Sequence, residues 1–196
     1  MRKVALTLGI ATLLIGASAC DKNGGSAANQ TGQTPAAAKA AGDKTIAAGL
    51  PQDSRFMAAA KAAGIDKTLA GPGPYTVLVP DDAAFAKLPA GTLDNAGDPQ
   101  QRAKITSILT YHILPGTVLA ADLGKTIDNS KGKAVIMTVG GQTFTASKDG
   151  GNVVLTDSAG NAAHITKADD QFSNGVVHHI DAVLTPPAPG AQGSGK

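Results

Sequence analysis

Chemistry in this chain would have to come from one cysteine, four histidines and fifteen acidic side chains. The histidines are His112, His164, His178 and His179. No two have the i, i+4 spacing that sets two imidazoles on one helix face. His178 and His179, adjacent in a strand, would point to opposite faces and cannot share an ion by themselves. No metal site is expected. The neighbouring carboxylates Asp81-Asp82 and Asp169-Asp170 could do acid–base work only if both members of a pair converged. Adjacent residues diverge, so helix caps and solvated turns are the simpler reading. The sequence has no G-x-S-x-G nucleophile elbow and no Gly-rich phosphate loop after a strand. No catalytic residue and no cofactor is expected, and a hydrolase built from residues distant in sequence ranks last among the functional readings.

The thiol has a more specific setting. Arg2 and Lys3 give a cationic start, Val4 to Gly16 runs almost wholly apolar, and Ala17-Ser18-Ala19 are small. That is the layout of a secretory signal peptide over residues 1–19, shorter than a membrane span of about 20 residues. Ala17-Ser18-Ala19-Cys20 resembles the bacterial lipobox, whose thiol takes a diacylglyceryl group before cleavage just ahead of it. Cys20 is then the lipidation site, although Ala17 stands where leucine is usual. Plain cleavage after an A-x-A site, with a free thiol, is the alternative. Two acyl chains, at about 0.8 kcal/mol per buried methylene, anchor a protein without a transmembrane helix.

Losing Arg2 and Lys3 with that leader leaves fifteen basic residues against fifteen acidic. A formally neutral chain carries no electrostatic footprint for nucleic acid or for an anionic membrane surface. With one cysteine there is no internal disulfide, so the core must hold the fold alone. Aromatic residues make up only 3% of the chain, and that core is mostly Val, Ile, Leu and Ala.

Residues 20–43 continue from Cys20 without a large apolar side chain. They read as a flexible tether spanning roughly 25–30 Å. Residues 187–196, rich in Pro, Gly and Ser, read as a disordered tail. The folded domain is expected between them, over residues 44–186. Its first half is helix-rich. Ser54 is a plausible N-cap for a helix through Ala63, with Phe56, Ala59, Ala60 and Ala63 on one face and Gly64 as the stop. Tyr75 to Val79 is a short strand ended by Pro80. Gln100 to Thr110 is a second helix, with Ile105, Ile108, Leu109 and His112 at helical spacing. From Ala134 the period changes to two, giving strands at 134–139, 142–147 and 153–156. Gly140-Gly141 suits a two-residue hairpin turn, and Asp149-Gly150-Gly151 a longer one. Asn174-Gly175 introduces a final strand, Val176 to Leu184. Helices followed by a strand meander give an α+β domain.

Three of these segments carry a family resemblance. Thr76-Val77-Leu78-Val79-Pro80-Asp81-Asp82-Ala83-Ala84-Phe85 resembles the first signature block of the fasciclin domain. Tyr111-His112, within Leu109 to Gly116, resembles its central Tyr-His block, and Asn174 to Pro186 its closing block. Leu78 stands where phenylalanine is common, and Asp81 where Thr or Ser is usual. The resemblance implies a wedge of two β-sheets flanked by helices, used for adhesion or for binding proteins and glycans outside the cell. Pro80 then ends a strand, Asp81 caps a helix that carries Phe85 inward, and Asn174-Gly175 turns the chain. His178 reads as a hydrogen-bonded core histidine rather than a ligand.

Tyr111-His112 is the block with a functional claim, since in some animal members this region is linked to integrin binding. The pair is the candidate interaction site. Against that, His112 lies seven residues after Ile105 on an apolar helical face, and Tyr111 adjoins Ile113-Leu114, which favours a buried pair at a helix-to-strand junction. The leading reading is an interaction module anchored in the cell envelope by lipid, periplasmic or on the surface, binding an extracytoplasmic protein or glycan. The second is an envelope binding protein for a small apolar or saccharide ligand.

Overall fold

The structure, a computed structural model, describes residues 42–88 and 98–187. The leader, Cys20, the tether up to residue 41 and residues 188–196 lie outside the described residues. Gly42, assigned by composition to the tether, bridges Phe172 and donates its N–H to Gln171 O.

Local sequence sets the helical half. Helix α1 (Ile46–Gly49) starts at Thr45, whose hydroxyl accepts the Ala48 N–H. Helix α2 (Arg55–Ala63) is capped by Ser54 Oγ on the Met57 N–H and stopped by Gly64 at φ 75°, a left-handed conformation that glycine adopts without strain. Helix α3 (Asp66–Ala70) and strand β1 (Tyr75–Pro80) follow, then helix α4 (Asp82–Ala86). Asp81 stands at the N-cap of α4, but its carboxylate makes no cap bond; its backbone carbonyl takes the Ala84 and Phe85 N–H groups instead. The neighbouring Asp82 reaches across and accepts the Arg55 N–H at 2.9 Å, tying α4 to α2. Helix α5 (Pro99–Tyr111) has Asp98 as a side-chain cap and Pro at its first turn, where a missing N–H costs nothing.

Strand β2 (Ile113–Pro115) leads to helix α6 (Ala120–Asn129) and then to β3 (Lys133–Met137), β4 (Thr143–Asp149), β5 (Asn152–Thr156), β6 (Ala162–Phe172) and β7 (Gly175–Ile180). Hydrogen bonding orders them β2-β1-β7-β6-β5-β4-β3. All neighbours are antiparallel except β1 and β7. The long β6 belongs to both halves of this order: Ala162–His164 pair with β5, and Ile165–Phe172 pair with β7. Two register shifts, between Ile165 and Lys167 and between Lys167 and Asp170, and Asp169 at φ 61° interrupt its pairing with β7. The two halves share β6 in one continuous seven-strand order, and the fold is α+β.

Two apolar clusters fill it. Val77, Val79 and Val177 face the helices, packing with Ile46, Phe56, Leu69, Phe85, Ile105 and Ile108. Leu78 and Ile180 face the other way, onto Tyr111, Leu123, Ile127, Phe144 and Leu155. β1 is therefore covered on both sides, which is why Val77-Leu78-Val79 is an apolar run and not an alternation.

Three expectations need correction. The two-residue turn with both residues at positive φ is Gly150-Gly151, between the paired Asp149 and Asn152. At Gly140-Gly141 the loop has three residues: Gly141 N–H closes on Thr138 O, only Gly141 is left-handed, and Thr138 N–H pairs with Gln142 O. Both types occur between antiparallel strands, and a Gly-Gly pair suits either. The final strand ends at Ile180 rather than Leu184. There Asp181 still donates its N–H to His164 O at 3.1 Å, but its carboxylate, and not its main-chain carbonyl, accepts the His164 N–H at 2.7 Å.

Candidate functional site

The Tyr-His block sits where α5 meets β2. Tyr111 and His112 are 0% and 1% exposed, so neither offers a side chain to a partner. Tyr111 packs edge-on against Phe144 and donates its hydroxyl to Thr143 O at 2.8 Å, pinning α5 to β4. Burial and the Asp157 carboxylate push this phenol up to about 12. His112 is 2.7 Å from Ile108 O through Nδ1, and its Nε2 accepts the Leu184 N–H at 3.1 Å. An N–H donor at Nε2 and a carbonyl at Nδ1 select the neutral Nδ1–H tautomer. Burial lowers this imidazole to about 4.

His178 is likewise buried, with Nε2 on Val118 O at 2.8 Å and Nδ1 accepting the Asp169 N–H at 3.1 Å. Burial lowers its pKa too. Both rings are bolts between backbone segments. This has a measurable consequence. Above the unfolded-chain value of about 6.5 both states hold His112 neutral, and below it only the unfolded chain takes the proton. Stability is thus expected to fall by roughly 3 kcal/mol between pH 6.5 and 4, at about 1.4 kcal/mol per pH unit, with His178 acting in the same direction. The lowered carboxyls Asp170 and Asp181 act only below that window. Urea midpoints measured from pH 7 to 4.5 check it; a flat profile would contradict the neutral buried rings.

The carboxylate pairs diverge. Asp82 holds α2, while Asp81 lies 3.9 Å from His179 Nδ1. Asp169 accepts the Ala120 N–H at 2.8 Å and so caps α6, whereas Asp170 binds Lys167 at 2.7 Å and lies 3.6 Å from His179 Nε2. Among the described residues no group of three His, Cys, Asp or Glu side chains could hold a metal ion. The other motif residues are equally structural. Pro80 closes β1 beside Ile180, and Phe85 is buried under α4. Asn174 accepts the Ile46 N–H and donates to Leu69 O and Gly71 O, each at 2.8 Å.

What the surface does present is apolar. Val135, Met137 and Val139 are 71%, 63% and 45% exposed, along and just beyond β3, the last strand of the order. Their alternates Ala134 and Ile136 turn inward toward α6, so the outward row is open. Beside it on β4 stand Thr143, Thr145 and Ser147, paired with Met137, Val135 and Lys133. Period alone could not find this row. Both alternating sets of the segment 133–139 are largely apolar, and which one is covered depends on where α6 lands.

Comparison with known proteins places this architecture. The fasciclin domain family model matches residues 51–186. The chain is similar to protein sll1483 of Synechocystis sp., 35% identical over 142 residues that cover 72% of either chain. It is 34% identical over 116 residues to immunogenic protein MPB70 of Mycobacterium bovis, covering 59% of this chain and 52% of that one. Periostin of Homo sapiens is 32% identical over 134 residues, 68% of this chain and 14% of periostin. Among solved structures, a FAS1 domain pair from the insect cell adhesion molecule fasciclin I aligns with a TM-score of 0.49 and 25% identity, over 68% of this chain and 45% of that one.

Proposed function

The chain belongs to the fasciclin domain family, and on that premise we propose that it is an adhesion or interaction module working outside the cytoplasm, held to the cell envelope through a diacylglyceryl group on Cys20. The observation that carries the reading is the open apolar row Val135-Met137-Val139, on a domain whose polar motif residues are spent on its own main chain. Large exposed apolar side chains in a contiguous patch mark contact surfaces more often than chance exposure does. The module works by contact, not catalysis. Its carboxylates and imidazoles hold helix starts and strands together.

No helix among the described residues is long and apolar enough to cross a membrane. The leader and the Ala17-Ser18-Ala19-Cys20 sequence supply the anchor in this reading, and residues 20–41 the reach that brings the row to a partner protein or glycan.

One experiment tests anchor and function together. Cys20→Ser is expected to move the protein from the envelope to a soluble fraction and to abolish adhesion of the cells that make it. The released protein, added to cells carrying the wild type, is expected to compete. Undiminished envelope retention and adhesion in Cys20→Ser would overturn the proposal.

A further inference from the structure

The main chain of β3 adds to what its side chains offer. As the last strand of the order, β3 has one edge along which no strand of the described residues is paired in a ladder. Thr138 N–H donates to Gln142 O, so the even-numbered residues of β3 bond to β4 and the odd-numbered ones direct N–H and C=O away from it. Two outward donors are already engaged: Val139 N–H with Ile113 O at 2.7 Å, and Lys133 N–H with Ser130 O at 3.3 Å. Between them lie Lys133 O and both main-chain groups of Val135 and Met137, with no strand beside them among the described residues.

The chain's own tails do not supply an occupant. Residues 21–41 and 188–196 contain no Val, Ile, Leu, Met or aromatic residue to form a strand there. The free groups are instead complementary to themselves. We propose that β3 pairs antiparallel with β3 of a second copy of this chain, about a two-fold axis through Val135. The two Val135 residues then exchange N–H···O bonds, and each Met137 N–H meets the other copy's Lys133 carbonyl, giving four bonds in all.

Register follows from the engaged ends. Ile113 occupies the place opposite Val139, so an added strand must stop opposite Met137. With the axis at Val135 the second copy's Lys133 lies there, and its chain turns away at Lys131 and Gly132, at φ 56° and 90°. Moving the axis to Ile136 would drive that Lys133 onto Ile113. Charge agrees with the chosen register. The two Lys133 side chains stand about 14 Å apart along the strand, from four residues at about 3.4 Å, beyond the roughly 8 Å screening length. On the open face Val135 meets Val135, and Met137 lies along the second copy's lysine stem. Four bonds and a short apolar row make a weak pair in dilute solution. Confinement to one envelope surface, at an effective concentration on the order of millimolar, favours it.

This inference rests on β3 being the contact surface proposed above, and the test separates the two. Sedimentation of the purified protein from about 1 μM to 1 mM is expected to show a concentration-dependent doubling of mass. Val135→Lys and Val135→Glu, each placing like charges face to face across the axis, should stay monomeric throughout, with unchanged melting because the site is exposed. Mixed in equal amounts, they should recover the doubled mass. A monomeric wild type at the highest concentration, or a mixture that stays monomeric, would overturn self-pairing. Cell adhesion in the same variants reads the surface by itself. Adhesion lost in Val135→Lys with a monomeric wild type keeps β3 as the contact and assigns it another partner; adhesion unchanged removes β3 altogether.

Discussion

Alanine at Gly175 is expected to cost about 4 kcal/mol or more, a large share of the roughly 5–15 kcal/mol that is the usual whole stability of a domain, and to lower the melting temperature by well over ten degrees. A Cβ built there would lie inside the radius of Tyr75 O, 2.9 Å from the Tyr75 carbonyl carbon and 3.0 Å from Ile46 Cδ1. Tyr75 and Gly175 are register partners in the parallel β1–β7 pair, so neither backbone can retreat without opening the ladder. The glycine also sits at φ 156°, where L side chains are strained. Relief by moving the chain is blocked by Asn174. Its carbonyl takes the Tyr75 N–H, and its side chain ties α1 and both carbonyls near the end of α3. Circular-dichroism melts of Gly175→Ala check this. A melting temperature within a few degrees of wild type would show that the β1–β7 contact is softer than the geometry requires.

Asn174-Gly175 also shows what a sequence can and cannot disclose. As a turn before a strand the pair was legible, because both residues favour the backbone it needs. Its role as a pin was not: the side-chain partners are Ile46, Leu69 and Gly71, more than a hundred positions away. Ser54, Phe56 and Gly64 marked α2 from end to end, since capping and apolar spacing are local. Helix α6 went unread. Its buried Leu123 and Ile127 stand four residues apart, the spacing of a helix face, but Gly124 between them lowers helix propensity and masks the signal. Strand β6 was hidden by its register shifts, which break the alternation that identifies a strand, and by Asp169 in a left-handed conformation.

The candidate site divides the same way. Tyr111 and His112 could be located by motif and by the helical spacing from Ile105, but their hydrogen-bond partners, Thr143 O and the Leu184 N–H, come from β4 and the C-terminal segment. The row on β3 could not be located. Burial of Ala134 and Ile136 and exposure of Val135 and Met137 follow from the docking of α6, and nothing in seven largely apolar residues chooses between the two faces.

The second large effect is on binding, and it separates the two surfaces in one assay. Adhesion and melting measured together on His112→Ala and Met137→Lys test the claim that contact is made by β3 and not by the Tyr-His block. His112→Ala strips the Leu184 N–H of its acceptor and opens a hole beside Ile108, at a cost of about 2–4 kcal/mol. Its adhesion should fall only in proportion to the fraction unfolded. Met137→Lys puts a charge in the centre of the exposed row and should melt within about 0.5 kcal/mol of wild type, yet lose adhesion at least about tenfold, the equivalent of 1.4 kcal/mol. The reverse pattern, with Met137→Lys adhering normally and His112→Ala melting normally while its adhesion is gone, would contradict the account and return the binding site to Tyr111 and His112.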